Sequence, residues 1–401
     1  MKIPVGIDIE EGEKDDYVLK MLRNIYGQKQ AGRVWNKYLH GILMKLGFEQ
    51  SQIDEGVYFR RGVIYLLYTD DSLLASKNET KLNQAMKDIQ DSGLKITIEG
   101  DLEEFLGVHI RRTKDGKFEM TQPNLANQIC KDLGFKDNTK EKNVPAASSK
   151  ILKRHQTSKR FDNSFNYRSV VGKINYYEKC TRPDISYQAH QCARFVDSPR
   201  VEHGDAIKWL GRYIHGTKNK GIIYAPDPSR GLEVYVDADF AGTFDHLDPD
   251  NIDTARSRHG YIITYAGMPV IWKSQLQSEI ALSSTESEYT GLSYSLREAI
   301  PIMDLLNEMK QKGISVNDDK TRVHIKVYED NAGAIEIAKE KKYRPRTKHL
   351  SCKLHHFRHR VEVTKEISVH KIDTNDQPAD MLTKPLREED FVRHRAVVMG
   401  W

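Results

Sequence analysis

At 401 residues and 46.2 kDa the chain is longer than a typical single domain, which predicts two or three folding units. With 38% hydrophobic and 30% charged residues it is excluded from the collagen-like, disulfide-stapled and disordered classes. A net charge of +5 implies only mild affinity for polyanions unless the basic residues cluster.

The N-terminal Met1-Lys2-Ile3-Pro4 lacks the apolar core of a signal peptide. The longest uncharged apolar run near the front, Val63 to Tyr68, is far short of the ~20 residues a bilayer span needs. The chain is therefore expected inside the cell, in the cytoplasm or alternatively the nucleus, with no membrane anchor. Leu39, Ile42, Leu43 and Leu46 recur at helical spacing and stop at Gly47. Tyr58-Phe59 and Val63 to Tyr68 follow as strands. Thr69-Asp70-Asp71-Ser72 then leads into another strand, Leu73 to Ser76, making a hairpin with two carboxylates at its turn. Leu82, Met86 and Ile89 mark a helix ending at Gly93, the alternation of Leu94, Ile96 and Ile98 predicts a strand, and Phe105 to Ile110 predicts another.

Lys136 to Asn166 is polar, charge-dense and without periodicity, so a linker or irregular connection is expected there. One helix is marked by Val170, Ile174 and Tyr177, and a later one by Ala206, Ile207, Leu210 and Ile214. Between them Thr181-Arg182-Pro183-Asp184 breaks the chain and starts a new helix. From residue 231 the order becomes regular. Strands are predicted over Leu232 to Asp239, Gly260 to Tyr265 and Pro269 to Lys273, then a helix over Ser284 to Ile300. A fourth strand carries Val323, Ile325 and Val327 and ends at Asp330, with a helix from Ala332 to Lys342. A basic helix over about Lys348 to Val361, a strand over Ile367 to Ile372 and a last helix opened by Pro378 complete the series βββαβαβα.

Acids fall at the ends of these elements. The period of two puts Tyr235, Asp237 and Asp239 on one face of their strand, and acids within a strand are unusual. Asp330 ends the fourth strand, Glu286 lies in the first turn of the helix that follows the third strand, and Asp380 in the first turn of the terminal one. Such a quartet could hold two divalent cations ~4 Å apart and activate a water against a phosphodiester. Oxygen ligands point to Mg²⁺, with Mn²⁺ as the alternative. Capping and helix-dipole effects also favour acids in first turns, so Glu286 and Asp380 each have a purely structural explanation. Glu288 competes with Glu286, because the helical wheel set by Tyr289, Leu292, Leu296 and Ala299 leaves both acids on its flanks; Asp239 competes with Asp237. From Lys339 to Arg360 nine Lys/Arg stand against one acid, Glu340, with four histidines interspersed, which reads either as a solvated face or as a phosphate-contacting stripe. The four cysteines, Cys130, Cys180, Cys192 and Cys352, are too widely spaced for CxxC chemistry and are expected as reduced thiols.

Five ordered segments resemble the ribonuclease H domain of copia-type LTR retrotransposon polyproteins. They are Tyr235-Val236-Asp237-Ala238-Asp239-Phe240-Ala241-Gly242, Ala281 to Tyr289, Glu329-Asp330-Asn331-Ala332-Gly333-Ala334, Arg346-Thr347-Lys348-His349 with His355-His356-Phe357-Arg358, and Gln377 to Pro385. Upstream, Asn24 to Trp35 and Tyr68-Thr69-Asp70-Asp71 are similar to reverse transcriptase segments of the same polyproteins, Phe105-Leu106-Gly107-Val108 to their primer-grip hairpin, and Thr181 to Tyr187 to the connection. The resemblance implies a mixed α/β and α+β chain in three parts. These are a partial reverse transcriptase palm and thumb over residues 1–135, a linker and helical connection over 136–230, and a ribonuclease H-like domain over 231–401.

It further implies cleavage of RNA in RNA:DNA hybrids with Mg²⁺ or Mn²⁺ held by Asp237, Glu286, Asp330 and Asp380. Asp239 and Glu288 become supporting acids, and Glu288 is expected to point away from the site. Arg346, Lys348, His349 and Arg358 become candidates for backbone contacts with RNA and DNA. In the polymerase half Asp70 and Asp71 are implied as catalytic. The family's third aspartate precedes Met1, so this polypeptide is expected not to polymerise DNA alone. Thr69 replaces the family's usual apolar residue, and Ile372-Asp373-Thr374-Asn375 stands where many ribonucleases H carry a mobile histidine. The rest of the polyprotein or a second copy is implied as partner. The competing expectation is a decayed or co-opted remnant that binds nucleic acid without catalysis.

Overall fold

A computed structural model describes residues 17–22, 24–25, 27–147, 152–154, 158–316, 322–339 and 355–401. Two compact units emerge, one of residues 1–98 with 308–315 and one of 99–307 with 316–401.

In the first unit, helix α1 (Ala31–Lys45) precedes an antiparallel sheet of β1 (Glu49–Gln50), β2 (Val57–Arg60), β3 (Val63–Tyr68) and β4 (Asp71–Ser76), followed by α2 (Glu79–Asp91). The predicted leucine stripe does face the core: Leu39 and Leu43 bury against Phe48, Tyr58, Tyr65, Ala85 and Ile89. Tyr68 pairs with Asp71 across the β3–β4 hairpin, leaving Thr69 and Asp70 as its turn. Thr69 takes φ 57°, a left-handed conformation costly for a β-branched residue, and the Trp35 indole donates to its carbonyl at 2.9 Å. The strand expected from Leu94, Ile96 and Ile98 does not form. Leu94 is buried, but the stretch is irregular and both isoleucines are exposed, since among the described residues no strand edge pairs with it.

The second unit begins with a four-stranded sheet whose members are β5 (Glu104–Phe105), β6 (Val108–Arg112), β7 (Phe118–Thr121) and, later, β8 (Ile222–Tyr224). The single strand expected over Phe105 to Ile110 is instead a hairpin. Leu106 and Gly107 both take positive φ, the two-residue geometry that reverses a strand, and the Tyr176 hydroxyl donates to the Leu106 carbonyl. Between β7 and β8 come α3 (Pro123–Asp132), α4 (Tyr167–Thr181), a 3₁₀ turn over Pro183–Ile185, α5 (Ser186–Ala193) and α6 (Val201–Gly216). Next is a five-stranded sheet of β9 (Leu232–Asp239), β10 (Arg258–Tyr265), β11 (Met268–Leu276), β12 (Ile325–Glu329) and β13 (Ile367–Lys371). A short α7 (Ile252–Ala255) links β9 to β10, α8 (Ser284–Gln311) follows β11, and α9 (Ala332–Lys339) follows β12. Helix α10 (Arg358–Glu362), α11 (Asp380–Thr383) and α12 (Glu388–Met399) close the chain. Of the predicted basic helix, residues 348–354 lie outside the described residues; the rest is a 3₁₀ turn over His355–Phe357 and α10.

The sheet order is β11-β10-β9-β12-β13. The first three strands are antiparallel, and β12 runs parallel to both β9 and β13. One hydrophobic core joins α3 to α6 with Ile262, Met268 and Trp272 of the sheet and Met381, Leu382, Phe391 and Val398 near the C-terminus. Residues 99–230 therefore pack in one unit with 231–307 and 316–401. Their anchor is Arg182. Fully buried, it bonds both Asp184 carboxylate oxygens at 2.8 and 2.7 Å, the Tyr177 hydroxyl and the Thr217 side chain. Cys130 and Cys192 are buried free thiols and Cys180 is half-buried; Cys352 lies outside the described residues.

Candidate functional site

Pairing between β9 and β12 ends at Tyr235 and Tyr328. Asp237 and Asp330 each stand two residues past that last pair, at the carboxyl ends of parallel strands where a crossover leaves the sheet open to a ligand. Gln377 spans the same gap: its amide donates to the Val236 carbonyl at 2.8 Å and to the Tyr328 carbonyl at 3.3 Å. This bridge sets the chain segment that carries Asp380 against both strands. Gly260, paired with Asp237, lets α11 come close, since a Cβ there would lie 2.6 Å from Leu382 and 3.0 Å from Thr383.

Ligand oxygens of Asp237, Glu288 and Asp330 lie within 4.8 Å of one another. Asp380 adjoins this trio, with its carboxyl in hydrogen-bonding reach of Asp237. Asp237 Oδ2 also accepts the Thr383 hydroxyl, and Asp330 Oδ2 accepts that of Thr374 at 2.8 Å. Three of the four expected acids thus come together, and the fourth place belongs to Glu288.

Glu286 is not in the group, contrary to expectation. Its Oε2 accepts from the Leu282 N–H at 2.9 Å, while its own N–H donates to Ser283 Oγ at 3.1 Å. Ser283-Ser284-Thr285-Glu286 is thus a variant of the S-x-x-E capping box, with the return bond displaced by one residue. The buried residues of α8 include Ser287, Gly291 and Ser295 beside Leu292 and Leu296. These small side chains centre the inward arc near Glu288 and leave Glu286, roughly 200° round the helix from it, outside.

Asp239 is half-buried and leans over Gly242, where a Cβ would meet its carboxylate at 1.9 Å. Of the expected backbone contacts, Arg346, Lys348 and His349 lie outside the described residues, and half-buried Arg358 donates to the Ile337 carbonyl at 3.4 Å. Asp70 and Asp71 are exposed, and among the described residues no third acid gathers with them. Glu329, Thr383, Lys384 and Gln377 have roles at the site that were not anticipated. Glu329 had a readable signal: it continues the inward face of Ile325 and Val327 on β12, an odd place for an acid, and it is fully buried.

Burial pushes Glu288 up to about 11, with the facing carboxylates of Glu329, Asp237 and Asp330 adding to it. Asp380 is raised to about 7 by burial and then by Asp237, against the pull of Lys384. Asp237 and Glu329 are raised as well, chiefly by burial. Glu288 Oε2 and Asp380 Oδ1 are buried with no donor among the described residues. Crowded carboxylates of high proton affinity with orphaned oxygens fit a hard divalent cation, which would displace the shared protons.

A carboxyl raised in the folded state binds more protons than in the unfolded one, so stability falls as pH climbs from its ordinary value near 4 to its folded value. In EDTA, the Asp380 contribution is expected to lower stability on the order of 4 kcal/mol between about pH 4 and 7. Mg²⁺ is expected to raise the melting temperature more at pH 8 than at pH 5. Melts of wild type and Asp380→Asn check this, since the variant should lose that part of the pH slope.

A sheet in this order, with acids gathered at the ends of its parallel strands, defines the ribonuclease H-like fold. Residues 1–148 match the family described as reverse transcriptase (RNA-dependent DNA polymerase). The retrovirus-related Pol polyprotein from transposon TNT 1-94 of Nicotiana tabacum is 31% identical over 98% of this chain and 28% of its own length. The transposon Ty5-1 protein of Saccharomyces cerevisiae is 31% identical over 71% of this chain and 90% of its own length. Among solved structures, LC11-RNase H1 isolated from compost aligns over 41% of this chain and 96% of its own, at 16% identity and a TM-score of 0.28. The chain belongs to the copia-type LTR retrotransposon polyprotein family and comprises a reverse transcriptase region followed by a ribonuclease H-like fold. It spans about a quarter of the length of the TNT 1-94 polyprotein (28%). Among the described residues no helix is long and apolar enough to cross a membrane.

Proposed function

We propose that the chain hydrolyses the RNA strand of RNA:DNA hybrids, using a divalent cation held by Asp237, Glu288 and Asp330 with Asp380 beside them. The supporting observation is the convergence of carboxylates from separate elements at the open end of the parallel strands, two of their oxygens buried without a donor among the described residues. A bound Mg²⁺ or Mn²⁺ would supply charge to polarise the phosphodiester and to lower the proton affinity of the attacking water. Thr383 and Thr374 orient Asp237 and Asp330 by hydroxyl donation. Asp380 Oδ1, which has no donor among the described residues, is the atom available to take a proton from the attacking water. The 2′-hydroxyl distinguishes the strand to be cut, and the products carry 3′-hydroxyl and 5′-phosphate ends. The basic segment over residues 339–360 is the proposed track for the hybrid backbone, and the rest of the polyprotein or a second copy is the proposed partner.

For the polymerase region, we propose that Asp70 and Asp71 do not suffice for DNA synthesis by this polypeptide alone. Nucleotide incorporation on a primed RNA template would overturn that. The nuclease reading is tested with an end-labelled RNA annealed to DNA. Wild type is expected to cut it with Mg²⁺ or Mn²⁺, to stop on EDTA and to lose activity in Asp237→Asn. A wild-type protein that binds the hybrid but cuts under none of these conditions is instead a non-catalytic remnant.

A further inference from the structure

Lys384 follows directly on α11, one turn after Asp380, and its ammonium reaches back into the carboxylates. Nζ lies 3.0 Å from Asp380 Oδ2 and 4.0 Å from Asp237 Oδ2. Among the described residues Glu288 and Asp330 have no ion-pair partner, so the positive charge serves one edge of the site alone. An ammonium offers three donors and no acceptor, and it competes for the same carboxylate lone pairs a metal ion would use. Its side chain is 37% exposed on a flexible four-carbon stem, so it has an outlet to solvent.

We propose that Lys384 is the resident counter-cation of the Asp237–Asp380 edge. One divalent ion then binds tightly at Asp237, Glu288 and Asp330, and a second enters between Asp237 and Asp380 only by displacing the lysine. This rests on the reading of the carboxylates as a cation site. Ion occupancy becomes stepwise, because the first ion meets two acids with no fixed countercharge and the second meets two acids already neutralised in part. Lys384 is a positioning residue here: it holds Asp380 against Asp237 until the second ion arrives.

The test is calorimetric titration of the full, metal-free chain with MnCl₂ alone, accompanied by thermal melts. Wild type is expected to show one tight ion and a second that binds at least about tenfold more weakly. In Lys384→Met the second ion should tighten by about tenfold and the metal-free protein should melt lower, because two crowded carboxylates lose their countercharge. Lys384→Arg, which keeps the charge, should retain the weak second ion and serves if the methionine variant does not fold. Identical affinities for both ions in wild type and Lys384→Met, with the first ion lost in Asp330→Asn, would reject the lysine's role and leave the cation site standing. Absence of Mn²⁺ binding, or a first ion indifferent to Asp330→Asn, would remove both.

Discussion

Glu288→Gln is expected to lower hybrid cleavage by about 10³-fold, whereas Glu286→Gln should cost less than about tenfold. Charge stabilisation by a correctly held cation is worth several kcal/mol, and each ~1.4 kcal/mol is a factor of ten in rate. Glu288 provides a ligand oxygen within 4.8 Å of those of Asp237 and Asp330, and glutamine removes its charge without changing its shape. Glu286 caps the start of α8 through the Leu282 N–H, and a glutamine side chain can accept the same bond. Single-turnover cleavage of a labelled hybrid at saturating Mg²⁺ measures both, with thermal melts to confirm that each variant folds. The opposite ranking, with Glu286→Gln inactive and Glu288→Gln active, would place the cation elsewhere on α8.

That swap shows what the sequence could and could not reveal. The element order βββαβαβα was legible because each strand is a short alternating or apolar run between turn residues, and the strands and helices occur along the chain in that order. Asp237, Asp330 and Asp380 were legible because acids at strand ends and helix starts stand out against apolar periodicity. The choice on α8 was not, because a wheel drawn from large apolar residues ignores Ser287, Gly291 and Ser295, the small side chains that let the helix approach the sheet. Gly291 shows how close that approach is: a Cβ would lie 3.3 Å from Val236 and from His259.

Tertiary context decided the other departures as well. Leu94, Ile96 and Ile98 alternate like a strand, but pairing needs a partner edge, and alternation cannot reveal whether one is present. The Leu106-Gly107 reversal receives a hydroxyl from Tyr176, seventy residues away, which no local pattern announces. Lys384 and Gln377 act on the site through contacts with Asp380, Val236 and Tyr328 that no local pattern announces.

Breaking the Arg182–Asp184 pair should be the most destabilising polar change in the second unit. Asp184→Asn is expected to cost about 3–5 kcal/mol in urea unfolding, the range for a buried ion pair stripped of one partner. Asp184 neutralises a guanidinium with no exposed surface and also accepts the Tyr213 hydroxyl at 2.6 Å. Tyr213 in turn accepts from Arg395 of α12, and Trp401 at the chain's end donates to the Gly221 carbonyl. The knot therefore ties helices α4 and α6 to the C-terminal segment that bears Asp380. Loss of the pair should accordingly weaken Mn²⁺ binding at the Asp237–Asp380 edge as well as stability, with the ion at Asp330 and Glu288 less affected. A double variant, Arg182→Met with Asp184→Leu, removes both charges. It is expected to lose much less than the sum of the two single losses, because neither ion is left buried alone. Strictly additive losses would mean that the two residues stabilise helices α4 to α6 separately and that Arg182 is held by Tyr177 and Thr217 without Asp184.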